Sequence, residues 1–92
     1  MMQDQRQKQY VGVQVYMNPE GKLSPFTILI GGYMFPITSV GKEIRPITPL
    51  VDEYTVRVRK GKKGRIYTTQ LFLEKGEKSA DLKWYVMKRV AA

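Results

Sequence analysis

From Gln9 to Met17 apolar and polar positions alternate without a break. Val11, Val13, Val15 and Met17 fall on one side, and Tyr10, Gly12, Gln14 and Tyr16 on the other. A period of two with β-branched residues predicts a strand. It stops at Asn18-Pro19-Glu20-Gly21, where Pro in the second position and Gly in the fourth suit a type I turn. Lys22 to Ile30 predicts a second strand, with Phe26, Ile28 and Ile30 in phase, and Gly31-Gly32 offers the positive φ angles of a two-residue hairpin loop. Tyr33 to Val40 predicts the third. This turn pairs Ile30 with Tyr33, Ile28 with Phe35 and Phe26 with Ile37. A four-residue loop at Asn18 to Gly21 pairs Val13 with Phe26 and Val11 with Ile28, so all of these residues share one face. A slip of one residue would turn a whole strand over. Pro36 falls opposite Thr27 at a non-hydrogen-bonded position. Its missing N–H therefore faces away from the second strand, and the outer side of the third strand is predicted to be an edge there, or to pair only around a bulge.

Gly41 to Asp52 loses the alternation and carries Pro46 and Pro49. It predicts an extended connection crossing to the second half, with a short helical turn as the alternative. Glu53 to Arg59 and Arg65 to Leu73 predict a second hairpin around Gly61-Lys62-Lys63-Gly64. With Lys60 opposite Arg65, Val58 meets Tyr67, Val56 meets Thr69 and Tyr54 meets Leu71, leaving Thr55, Arg57, Arg59, Ile66, Thr68 and Gln70 on the other face. Tyr67 and Phe72 read as core and second-face residues, and Trp84 as core. Glu74 to Asp81 is a polar connection. In Leu82 to Val90 the alternation of Leu82, Trp84, Val86 and Val90 against Tyr85 and Met87 favours a strand. A helix competes, with Ser79 as its N-cap, Asp81 in its first turn and Lys88 and Arg89 at its end. Residues 1–8, where glutamines alternate with charges, read as a disordered tail before a single domain over 9–92. The expected fold is all-β, with about six antiparallel strands in a small partly open barrel or a two-sheet sandwich. It becomes α+β if the last segment is a helix.

Composition narrows the chemistry. The 92 residues contain neither cysteine nor histidine. Disulfides, thiolate or imidazole metal ligands, a cysteine nucleophile and a histidine general base are thereby excluded. No apolar run approaches the ~20 residues of a bilayer span, and Met1 to Lys8 lacks the apolar stretch of a signal peptide, so a cytoplasmic protein with no membrane partner is expected. Asp52-Glu53 is the only adjacent acidic pair, and neighbours along a strand point to opposite faces. Ser24, Ser39 and Ser79 sit in no motif, and Gly61-Lys62-Lys63-Gly64 lacks P-loop spacing. The expectation is a non-catalytic protein without a cofactor or bound metal.

Charge points further. Sixteen Lys and Arg against eight Asp and Glu give a net charge of +8, divided as +2 over residues 1–46 and +6 over 47–92. Six of the nine residues from Arg57 to Arg65 are basic and none is acidic. Arg57, Arg59, Lys60, Lys62, Lys63 and Arg65 are thus the candidate nucleic-acid-binding residues, since a cationic two-stranded ribbon can follow a phosphate backbone or enter a groove. The same charges also keep an exposed hairpin soluble and discourage edge pairing. Tyr10 and Tyr16, opposite the valines, are candidates for base stacking or for a partner-binding face.

One resemblance bears on this half. The order Tyr54-Thr55-Val56-Arg57-Val58, a basic turn, Tyr67 to Leu73 and then Lys83-Trp84-Tyr85-Val86 resembles small uncharacterised bacterial β-domains that end in a Trp-containing strand. Some of these are associated with DNA-repair polymerases. The resemblance implies a compact β fold and a link to nucleic acid, and it carries over no active-site residue. The expected function is a nucleic-acid-binding or accessory module, with DNA or RNA as partner. The alternatives are a protein-interaction or self-assembling module, using the outer edge of the third strand and the Tyr10/Tyr16 face, and a regulatory domain binding an anionic small molecule at the basic hairpin.

Overall fold

A computed structural model of the chain describes residues 5–61, 63–76 and 81–90. Six strands run through them: β1 (Gln5–Met17), β2 (Leu23–Ile30), β3 (Tyr33–Thr48), β4 (Val51–Arg59), β5 (Ile66–Lys75) and β6 (Leu82–Val90). Each is antiparallel to the next, and β6 pairs back onto β1, so the strands close into a small barrel in up-and-down order. The described residues form no helix, and none is therefore long and apolar enough to cross a membrane. The last segment is a strand, because the β-favouring Trp84-Tyr85-Val86 run finds ladders on both sides, at Leu73 and Phe72 of β5 and at Gln9 to Val11 of β1. Ser79, the cap of the competing helix, lies outside the described residues.

Closure depends on two long strands that change partner midway. β1 pairs with β6 over Gln5–Val11 and with β2 over Gly12–Met17. β3 pairs with β2 over Tyr33–Pro36 and with β4 from Ile37 to Thr48. Strands that switch sheets in this way make the corners of a barrel-like sandwich. Pro36 stands opposite Thr27 and ends the part of β3 that has β2 as its only partner, which is the edge its missing N–H requires. The segment 41–48 is not a crossing connection. It continues β3 beside β4, with register shifts between Val40 and Ile44 and between Pro46 and Thr48, and turns at Pro49-Leu50. This half of β3 has a ladder on one side only, the setting in which a strand tolerates proline.

β1 begins at Gln5, four residues ahead of the expected Gln9, because Gln5–Lys8 pair with Met87–Val90. Residues 1–4 of the expected tail lie outside the described residues. In the first hairpin Val13 faces Ile28 rather than Phe26. Two single-residue insertions account for the difference. Gly21, at φ 82°, follows a type I turn in which its N–H donates to the Asn18 carbonyl, and Phe26 is then bulged out between Pro25 and Thr27. Each insertion reverses the facing and the two together restore it, so Val11, Val13 and Ile28 still point inward. Phe26 does not: it is 48% exposed. Gly31 and Gly32, at φ 55° and 83°, form the two-residue turn that pairs Ile30 with Tyr33. The second hairpin has the expected register throughout, from Val51 opposite Glu74 to Arg59 opposite Ile66.

The core lies between β4, β5, β6 and β2. Tyr54, Val56 and Val58 pack with Leu71, Leu73, Trp84 and Ile28, ringed by half-buried Val11, Val13, Ile30, Phe35, Ile37 and Val86. Trp84 tilts against Tyr54 with ring centroids 5.3 Å apart. Tyr67 shares the inward phase of Leu71 but sits beyond the end of the core and is exposed, correcting its assignment as a core residue. The radius of gyration is 13.9 Å, above the ~12 Å expected of a compact chain this long.

Candidate nucleic-acid interface

Antiparallel order sorts the connections to two ends. At one end lie the β4–β5 tip, the Gly31-Gly32 turn, the start of β1 and the finish of β6. At the other lie the Asn18–Lys22 loop, the Pro49-Leu50 turn and the β5–β6 connection. The basic cluster occupies the first. Arg57 and Arg59 alternate on the outer face of β4, opposite Thr68 and Ile66, and both are exposed. Lys60, Lys63 and Arg65 are exposed around the tip. The Lys60 N–H donates to the Arg65 carbonyl, and Gly61 turns the chain at φ 81°. Lys62, the sixth candidate, lies outside the described residues. Among the described residues no carboxylate forms an ion pair with any of the five other cations.

The opposite end is neutralised. Lys75 Nζ lies 3.1 Å from Asp52 Oδ2, and Lys8 Nζ lies 3.1 Å from Glu74 Oε2. The Tyr10 hydroxyl donates to Glu74 Oε1 at 3.0 Å. These bonds from Lys8 and then Tyr10 hold the Glu74 carboxyl below its ordinary value. The same contacts raise the Lys8 ammonium and the Tyr10 phenol.

Tyr10 and Tyr16 do not form one surface. Tyr10 belongs to an aromatic layer on the outside of the barrel, edge-on to Tyr85 at 5.9 Å, while Tyr85 stacks on Phe72 at 4.9 Å and 9°. Tyr85 is thereby 6% exposed although it points away from the core. Tyr16 stands six residues along β1, opposite Ser24, and is 60% exposed. The alternation of β5 and β6 placed Phe72 and Tyr85 outward; what it lacked was the register that stacks them.

A groove adjoins the basic hairpin. The β5–β6 ladder runs only from Phe72–Tyr85 to Lys75–Leu82. Beyond it Ile66–Leu71 pair with β4 alone, and Val86–Val90 with β1 alone. The two ribbons diverge there, and beside the divergence lies a cleft of about 460 Å³ lined in part by Arg6, Arg45, Glu53, Gln70, Phe72 and Met87. Sequence reasoning missed this groove, because it arises where a ladder stops. Among the described residues no group of His, Cys, Asp or Glu is arranged to hold a metal ion. The chain matches no protein-family model, no curated protein and no solved structure, and nothing in those comparisons bears on the resemblance of its second half.

Proposed function

We propose that the protein is a non-catalytic nucleic-acid-binding or accessory module that engages phosphates through the β4–β5 hairpin. The supporting observation is the concentration of exposed cations at one end of the barrel, Arg57, Arg59, Lys60, Lys63 and Arg65, while carboxylates engage cations at the other. Cations without carboxylate partners can release the counterions of a phosphate backbone, which drives binding and makes it salt-dependent. The test is fluorescence anisotropy with labelled DNA and RNA at low and physiological salt. Lys60→Glu with Lys63→Glu should weaken binding and flatten its salt dependence, by a slope of about 0.9 per lost phosphate contact on duplex DNA. Binding unchanged in that variant removes the assignment.

A second reading rests on the Tyr33–Pro36 edge of β3, which pairs on one side only and carries Tyr33 and Met34 at 73% and 61% exposure. An open edge of this kind accepts an added strand from a partner or a second copy. Sedimentation across micromolar concentrations tests self-association; a persistent monomer rules it out.

A further inference from the structure

We infer that the cleft beside the β5–β6 divergence receives unpaired bases, so that the nucleic acid bound is single-stranded; the inference rests on the phosphate-binding reading of the hairpin. The outer rows of β4 and β5 run without interruption from the basic tip into the cleft: Arg59 and Arg57 lead on to Thr55 and Glu53, and Ile66 and Thr68 to Gln70 and Phe72. Six residue steps from Ile66 to Phe72 span roughly 20 Å. Cations stand at the start of this track, and two further arginines, Arg6 and Arg45, line the cleft.

The groups between them suit bases rather than phosphates. Phe72 is half-buried, with Tyr85 stacked at 4.9 Å on one ring face, which holds it as a rigid platform. The Gln70 amide offers both a donor and an acceptor on the outer face. Glu53, 3.8 Å from Arg45, would repel a phosphate but accepts a hydrogen bond from an exocyclic amine. Met87 supplies an apolar wall. A cleft of about 460 Å³ is of the size that encloses small planar ligands. Bases in a duplex are stacked and paired and cannot enter it, whereas those of a single strand can be splayed onto an aromatic face. Phosphates on the hairpin cations and a base on Phe72 are therefore two halves of one binding track.

The experiment compares a single strand of roughly 12 nucleotides, within the usual site size of small single-strand-binding barrels, with a duplex of equal length, in DNA and RNA forms. A fluorescent purine analogue in the strand reports stacking. The native protein should prefer the single strand and quench the analogue. Phe72→Leu should lose the quenching and about tenfold in single-strand affinity, the effect of one base–aromatic stack, with duplex binding unmoved. Gln70→Ala and Met87→Glu, at exposed positions, carry the same test if Phe72→Leu does not fold. Equal binding of strand and duplex, insensitive to these changes but weakened by Lys60→Glu with Lys63→Glu, overturns the groove and leaves the hairpin standing. Sensitivity to Phe72→Leu alone overturns the hairpin and leaves the groove. Absence of binding to every probe overturns both.

Discussion

The two ends of the β4–β5 ribbon share strands, core and solvent, yet handle charge in opposite ways. Near Val51 and Glu74, carboxylates and ammonium groups meet at 3.1 Å, and an aromatic layer of Tyr10, Tyr85 and Phe72 is laid over the outside of the ladder. Near Arg59 and Ile66 no described carboxylate forms an ion pair with the cations, β6 has left the ladder, and Tyr67 and Ile66 are exposed. The first end consolidates the barrel; the second presents charge and backbone edges to solvent. Repulsion among cations at a tip costs stability without returning any to the fold, so the contrast favours a surface for recognition.

The largest expected effect tests whether both ends belong to one cooperative unit. Leu71 is fully buried between them, and Leu71→Ala should cost about 2–5 kcal/mol. Urea unfolding followed by Trp84 fluorescence and by circular dichroism should give one coincident transition shifted to lower denaturant. Separate transitions would divide the ends. Next comes charge placement. Arg57→Glu with Arg59→Glu should reduce oligonucleotide affinity at low salt by about tenfold or more. Lys22→Glu reverses one charge at the opposite end, in the Asn18–Lys22 loop, and should alter affinity by no more than about twofold, since exposed charges beyond a Debye length of ~10 Å are screened. Equal losses in an anisotropy titration would reduce the contrast to net charge.

The smaller effects probe the neutralised end. The folded Glu74 carboxyl lies below its ordinary value of 4.5, chiefly through its bond from Lys8. Its contribution to stability is therefore present above pH 4.5 and lost as pH falls through the folded value. Glu74→Gln should flatten this acid-side slope in thermal melts taken across that range, and an unaltered slope would assign the acid sensitivity elsewhere. Last, Lys75→Met breaks the pair with Asp52, whose partners are 39% and 21% exposed, and should shift urea stability by less than about 1 kcal/mol.

Local pattern was legible where the turn and the alternation agreed. The β4–β5 register followed from Lys60 opposite Arg65, and the cationic face with it. In the first hairpin the facing of Val11, Val13 and Ile28 was legible, but the pairing was not, because the extra residues at Gly21 and Phe26 leave no mark on the alternation. The second half of β3 was hidden by Gly41, Pro46 and Pro49, which break the period of two while the backbone still reaches Tyr54 and Asp52 of β4. Gln5–Lys8 carries no apolar signal, and its strand comes from a partner some eighty residues away. The cleft was illegible for the same reason: where β5 and β6 part depends on closure of the whole ring, which no short window of sequence contains.

That closure has a topological consequence. Gln5 stands opposite Val90, so the two ends of the described chain lie side by side like the shoulders of a hairpin. A short linker from Val90 to Gln5 would make β6–β1 one more hairpin in a ring of six. The chain could then be reopened between Gly31 and Gly32 with every ladder kept. Such a circular permutant exchanges the one pairing of great sequence separation for a local one and makes β2–β3 the late closure instead. The same barrel would then be reached by a different order of assembly.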